Sequence, residues 1–510
     1  MLRRTTVENG AIEGIPASDP RITIYKGVPF AAPPVRELRW RSPQPAKNWQ
    51  GTYKANAFAP ISMQATPGED KNDIYTREWH VDSDVTMSED CLYLNIWTPA
   101  KSANEKLPVM FWIFGGALQV GYPSEMEFDG ERIARRGVVL VSVNYRVNLF
   151  GFLAHPEITA ENAGKTPGNF GLLDQMAGME WVKRNIASFG GDPENVTLFG
   201  QSAGAVSTML HLTSPMTRGL FHKAIVHSGG GLLGPIGANL SLEAAEKNGV
   251  RFFEFLGVKT LREARNLDAK YLLNKFVANQ ESHIFTTISD GYFCPPDPAK
   301  VLMENKNHQV PLIIGNTGDE FHVISDAKNM EEFETFARSQ FGRHAGRYVD
   351  ICRSGAKYLG EMCEKGRIRK NELGDMLWLE KNIKNGGLPI YFYNFDPEIP
   401  GWDNPGAFHS SELWFVFETL AKCWRPFVGK HYDLARQMCN YWTNFAKTGN
   451  PNGLDADGSP MPKWTPYTAE SPQYMLFGDT AGMNKSDKSD LAKFVLEYAD
   501  DIIETLKFKR

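Results

Sequence analysis

Ser202 stands between two glycines in Gly200-Gln201-Ser202-Ala203-Gly204, with a strand signal before it and a helix signal after it. Asn195-Val196-Thr197-Leu198-Phe199 reads as a buried strand, and Ala205 to Leu210 reads as the opening turns of a helix. A serine at such a corner is placed for nucleophilic attack, because the sharp turn lifts its hydroxyl out of the sheet. The flanking glycines lack Cβ atoms, so strand and helix can approach while Ser202 takes a strained backbone. The chemistry this predicts is acyl transfer through a covalent serine intermediate.

A serine hydroxyl needs a base, and the base needs a third group to fix its tautomer. Around an elbow of this kind the chain order is serine, acid, histidine. Leu312 to Ile314 reads as a strand, and the turn that follows carries Asp319 and Glu320. Either carboxylate could orient an imidazole, and spacing alone does not separate them. Four histidines come later: His322, His344, His409 and His431. His322 is too near the acids, and His344 and His431 fall in helical patterns. His409 follows the strand Ile390 to Tyr393, in a loop rich in proline and glycine, with a helix expected near Ser410-Ser411-Glu412. It is the predicted base. An oxyanion hole needs backbone N–H donors. Phe114-Gly115-Gly116-Ala117, at the end of a strand beginning at Val109, and Ala203, just after the nucleophile, are the candidates.

The elements that must hold these groups are legible as apolar runs at 109–114, 138–143, 196–199, 223–226, 312–314 and 390–393. Continuous runs of this kind fit parallel strands covered on both faces. Leu173 to Ala187 reads as an amphipathic helix, and Val7 to Gly14 as an edge strand and turn. Charged helical patterns dominate 231–307 and 330–384, which read as helical insertions shaping a pocket on a single catalytic domain spanning 1–510.

With 510 residues, 42% of them hydrophobic, the chain can bury a large core. A net charge of -5 gives no reason to expect nucleic acid or an anionic membrane as partner. No secretory signal or long apolar run is apparent, so the expected location is cytoplasmic. The six cysteines show neither C-x-x-C nor metal spacing and read as free thiols. The sequons at Asn195 and Asn239 read as chance matches.

Several longer stretches resemble the type-B carboxylesterases, the family that includes cholinesterases, bacterial nitrobenzyl-esterase-like enzymes and some fungal lipases. They are Tyr25-Lys26-Gly27-Val28-Pro29-Phe30-Ala31, Glu89-Asp90-Cys91-Leu92-Tyr93-Leu94-Asn95-Ile96-Trp97, Asn144-Tyr145-Arg146 and Gly168 to Gln175. The resemblance runs from about Val7 to Pro451. It implies an α/β-hydrolase fold, a mostly parallel sheet flanked by helices with cap insertions. It also implies a triad of Ser202, Glu320 and His409, with Gly116, Ala117 and Ala203 as the oxyanion hole. No metal or organic cofactor is implied. The implied reaction is hydrolysis of small-molecule esters with short to medium acyl or aryl groups through an acyl-enzyme.

Two departures qualify that expectation. Many members bridge the cysteine corresponding to Cys91 to a partner near Pro60 to Gln64, and no cysteine stands there. The loop 62–90 is therefore expected to be unpinned. Its charges, Glu69, Asp70, Lys71, Asp73, Arg77, Glu78, Asp82 and Asp84, make a poor lid for opening onto oil. Cholinesterases carry an acid immediately before the serine, where this chain has Gln201, so a choline-ester specialist is not expected. A lipase or polymeric-ester hydrolase is the alternative within enzymes, beside an amide-cleaving relative, and a non-catalytic binding protein is the alternative from another class. Phe114, Phe285, Phe321 and Phe408, with Tyr122, are candidates to line a substrate pocket.

Overall fold

The computed structural model describes residues 1–69, 72–79, 81–237, 239–279, 282–486 and 488–502. Asp70 and Lys71, two of the charges assigned to the 62–90 loop, lie outside the described residues.

Eleven strands form the main sheet: β1 (Ile15–Pro16), β2 (Thr23–Pro29), β3 (Tyr93–Thr98), β4 (Leu107–Ile113), β5 (Val139–Val143), β6 (Gly191–Gln201), β7 (Lys223–His227), β8 (Leu312–Thr317), β9 (Ile390–Phe395), β10 (Gln473–Phe477) and β11 (Ala481–Lys485). Their order across the sheet is β11-β10-β9-β8-β7-β6-β4-β5-β3-β2-β1. The seven strands from β5 to β10 in that order run parallel, and antiparallel strands close both edges. The arrangement is the α/β-hydrolase fold.

Parallel strands need cover on both faces, and the sequence supplies it. Every residue of β5 and β7 is buried, which is why both read as mainly apolar with no alternation, broken only by Ser142, Lys223 and His227. Helix α1 (Phe170–Asn185) buries Leu172, Leu173, Met179, Trp181 and Val182. Helix α2 (Ala203–Thr213) is buried at every position, as an apolar helix without a solvent face must be. Long amphipathic helices, α3 (Lys370–Lys384) and α4 (Gly429–Thr448), cover more of the sheet.

The register of the strands sets the ends at one level. Gln201 pairs with His227, His227 with Gly315, and Gly315 with Tyr393. The turns that follow β6 and β8 and the loop that follows β9 therefore open on the same edge of the sheet, where open parallel sheets bind ligands.

Candidate active site

The turn between β6 and α2 holds Ser202 at φ 55° and ψ -122°, a conformation that costs of order 1–3 kcal/mol for a residue with a side chain. Two features hold it there. The Ser202 N–H donates to the His227 carbonyl at 2.9 Å. A Cβ on Gly204 would lie 2.1 Å from the Ile113 carbonyl oxygen, and one on Gly200 would lie 2.3 Å from the Gly204 oxygen. The two glycines let β4, β6 and α2 meet at contact distance beneath the serine.

Glu320 ends the turn after β8 and is almost fully buried, at 5% exposure. Its Oε2 accepts from His409 Nδ1 at 2.6 Å and from Asn371 Nδ2 at 2.9 Å, and its Oε1 accepts from Thr317 Oγ1 at 3.2 Å. Burial works to raise its pKa, but the neighbouring His409 charge and hydrogen bond outweigh it and hold the group below the ordinary carboxylate value. Asp319, one residue earlier, points elsewhere. Its Oδ2 accepts from the Ala407 N–H at 3.0 Å and its own N–H donates to the Ala407 carbonyl at 3.0 Å. The neighbours left open by spacing thus take different positions: Glu320 faces the imidazole, and Asp319 fastens the loop that carries it.

His409 is buried, and its Nε2 lies 3.2 Å from the Gln201 side-chain nitrogen. Phe321 covers the ring from the solvent side, with centroids 4.7 Å apart. The other histidines lie elsewhere: His322 bonds Arg367, His344 bonds Asp501, and His431 bonds the Val428 N–H and the Glu398 carbonyl.

Ser202, His409, Gly116 and Ala117 all line one cavity of about 330 Å³. Gly116 has φ +98°, and a Cβ there would lie 2.2 Å from the Val120 oxygen, so this bend accepts glycine alone. Ala117 follows with φ 55°, and both residues line the cavity. Ala203 opens α2, where the first backbone N–H groups have no helical partner.

Phe114 and Phe321 line this cavity; Phe285 and Phe408 do not. Phe285 is 2% exposed and packs against Phe252 and Phe276, with ring centroids 5.3 and 5.6 Å away. Phe408 stacks behind Trp79 at 6.3 Å, so it supports the wall. Tyr122 is buried outside the cavity as well. The segments 231–307 and 330–384 are helical in large part but give the cavity no wall among the described residues. Its walls come from 73–79, 114–128, 201–202, 321 and 409–413, and α3 reaches the site through Asn371 on Glu320.

The loop 62–90 is fastened, contrary to the expectation drawn from Cys91. Glu78 and Arg425 pair at 2.6 Å with neither side chain exposed, and Arg425 also holds Asp403 at 2.9 Å. Arg77 reaches the same Asp403 at 3.2 Å. Gln64 adds a second anchor, donating to the Gly121 carbonyl at 3.0 Å and accepting from its N–H at 2.8 Å. Ion pairs and amide bonds do the work that a disulfide does elsewhere, and all six cysteines stand as free thiols.

Comparison with known proteins agrees with this architecture. The family model for carboxylesterases matches residues 3–350 and 373–495. The chain is 31% identical over 501 residues to the fumonisin B1 esterase of Sphingopyxis macrogoltabida, covering 93% of this chain and 86% of that protein. It is 32% identical over 495 residues to carboxylesterase 5A of Canis lupus familiaris, covering 89% and 81%. Among solved structures, the carboxylesterase EST55 of Geobacillus stearothermophilus superposes with a TM-score of 0.76 at 29% identity, over 98% of this chain and 99% of that one. A PNB esterase superposes with a TM-score of 0.78 at 28% identity, over 97% and 99%. The chain belongs to the carboxylesterase family and is a carboxylic ester hydrolase.

Proposed function

We propose that Ser202, His409 and Glu320 form the catalytic triad of this esterase, that the N–H groups of Gly116, Ala117 and Ala203 form its oxyanion hole, and that its substrates are small esters with short to medium acyl or aryl groups. The observation that carries this reading is the 2.6 Å bond between His409 Nδ1 and Glu320 Oε2, beside a cavity that Ser202 also lines. Glu320 accepts the Nδ1 proton and leaves Nε2 as the basic end of the ring. Nε2 takes the Ser202 hydroxyl proton as Oγ attacks the ester carbonyl. The oxyanion forms against backbone donors, each worth about 10²–10³ in rate. Collapse expels the alcohol, which receives its proton from Nε2. Water then attacks the acyl-enzyme, with Nε2 again taking the proton; collapse breaks the bond to Ser202 Oγ, which receives that proton as the carboxylic acid leaves.

Size supports the small-ester part of the reading. A volume of about 330 Å³ is at the small end of ligand sites, and Phe114 and Phe321 give it apolar walls suited to short acyl or aryl groups. A cytoplasmic setting belongs to the same proposal. Its support is the set of free thiols, five of the six buried, which is the usage of a reducing compartment. Among the described residues, no helix is long and apolar enough to cross a membrane.

Hydrolysis of p-nitrophenyl esters from acetate to palmitate, by the wild type and by Ser202→Ala, tests the assignment. Short chains should turn over fastest, and the variant should lose on the order of 10⁵–10⁶ in kcat. A preference for long chains would replace the small-ester reading with that of a lipase or polymeric-ester hydrolase. A variant retaining more than about one per cent of the activity would remove Ser202 from the mechanism.

A further inference from the structure

Glu320 is held at both carboxylate oxygens. Oε1 accepts from the Thr317 hydroxyl at 3.2 Å and from the Thr317 N–H at 3.4 Å, and Oε2 accepts from His409 and from Asn371. Thr317 belongs to the strand end that carries Glu320, and His409 is its partner in the reaction. Asn371 is neither. It is the second residue of α3, 51 positions further along the chain, and it does not line the cavity beside Ser202.

The amide of Asn371 has one orientation open to it. Its nitrogen must face Oε2, since its carbonyl would set lone pair against lone pair. Its Oδ1 lies 2.9 Å from where a Cβ on Gly230 would stand, so the loop after β7 closes the other side. That loop and α3 meet at backbone contact. A Cβ on Gly374 would lie 2.0 Å from the Gly230 oxygen, and one on Gly231 would lie 2.2 Å from the Gly374 carbonyl carbon. Four residues after Asn371, on the same face of α3, buried Asp375 accepts from Asn316 Nδ2 at 3.1 Å. The helix thus holds both Asn316, within β8, and Glu320, at the end of the turn that follows.

A glutamate carboxylate turns easily about its last bond and can offer either oxygen to a partner. Two donors converging on Oε2 leave a single arrangement for the bond to Nδ1. The other ionisable groups around this carboxylate are Asp375, Glu412, Tyr75 and Tyr393. Burial first, with the Glu320 charge contributing, pushes each of them up, Asp375 and Glu412 to about 8. Near neutral pH the negative charge of the cluster therefore rests on Glu320. We propose that Asn371 is a positioning residue for the reaction, fixing the Glu320 oxygen that accepts the His409 Nδ1 proton. This makes the start of α3 a part of the 330–384 segment on which turnover depends. The inference rests on the triad reading above and extends it.

Two substitutions separate the donor from the space it fills. Asn371→Leu keeps the volume and removes the donor. Asn371→Ala empties the space and admits a water molecule, which can donate to Oε2 in place of the amide. Active sites are counted by stoichiometric labelling with a fluorophosphonate, so loss of folded protein does not enter. In Asn371→Leu, kcat per site for p-nitrophenyl acetate should fall about tenfold, with KM within about twofold of the wild type. Asn371→Ala should lose less. The acidic limb of kcat/KM in Asn371→Leu should move up by about half a pH unit, because more of the Glu320 charge is left to stabilise the imidazolium. If the leucine variant does not fold, Asn371→Met, whose flexible side chain adapts to the same space, carries the same expectations. Wild-type turnover in Asn371→Leu, a limb that stays in place, or a larger loss in Asn371→Ala than in Asn371→Leu would make Asn371 a packing residue and overturn the proposal. Glu320→Gln is measured beside them. Wild-type turnover in that variant would overturn the triad reading itself, whatever the Asn371 variants do.

Discussion

Gln201 Nε2 lies 3.2 Å from Nε2 of His409, the nitrogen that the proposed mechanism uses to take the Ser202 proton. An amide nitrogen only donates, so this contact holds the imidazole with its lone pair at Nε2 and its proton at Nδ1, toward Glu320. The residue before the nucleophile thus presents a donor to the base in its neutral form. A carboxylate there would instead accept from the protonated ring and favour the imidazolium. Gln201→Glu should move the acidic limb of the kcat/KM profile upward by about one pH unit. A limb that stays in place would show that residue 201 does not act on the base.

The two neighbouring carboxylates make opposite predictions. Glu320→Gln removes the acceptor charge from His409 and should lower kcat by about 10³–10⁴, as loss of the orienting carboxylate does in other triads. Asp319→Asn keeps an oxygen to accept from the Ala407 N–H and should stay within about threefold of the wild type. Steady-state kinetics of the two variants distinguish them, and the reverse ranking would exchange their roles.

Gly116 offers a test of the oxyanion loop. Its φ of +98° and the 2.2 Å approach of a built Cβ to the Val120 oxygen force the loop to shift in Gly116→Ala. Displacing the donors should cost about 10²–10³ in kcat while the protein still melts in one cooperative transition. Wild-type turnover in this variant would mean that the Gly116 and Ala117 N–H groups do not face the reacting oxygen.

Glu412, three residues after His409, sets a stability profile. It is fully buried, neither oxygen meets a donor from another described residue, and burial followed by the Glu320 charge pushes its pKa up to about 8 from an ordinary 4.5. Between those values the folded chain binds a proton that the unfolded chain has released, so the Glu412 contribution to stability falls as pH rises through this window. Glu412→Gln removes that dependence. Its Tm relative to the wild type should rise by ~2 °C or more between about pH 6 and about pH 9. A difference in Tm that stays constant over that range would mean that Glu412 does not titrate there.

What the sequence disclosed was local, and what it concealed was distant or directional. The elbow at Ser202 is legible because strand, glycine, serine, glycine and helix follow one another along the chain. The six central strands are legible because burial on both faces leaves continuous apolar runs. Asp319 and Glu320 are not separable by spacing, because which one meets the imidazole depends on the direction in which each leaves the turn; only the family resemblance points to Glu320. Phe285 and Phe114 look alike in sequence, yet one packs in the core and the other lines the cavity. The Glu78–Arg425 pair joins residues 347 positions apart, and neither carries a mark of the other. Gln201 is visible as a departure from the cholinesterase pattern, but its contact with His409 is set by the fold, which brings together residues 208 positions apart.

The Glu78–Arg425 pair also determines what the substrate cavity responds to. It fastens the segment that carries Asp73, Tyr75 and Trp79, and it lies out of reach of dissolved ions, since neither side chain is exposed. Oxidants and reductants find no covalent closure to make or break, and salt has little access to screen the pair. The shape of this wall is therefore decoupled from redox poise and ionic strength. A loop closed by sulfur would tie the same cavity to the oxidation state of its surroundings.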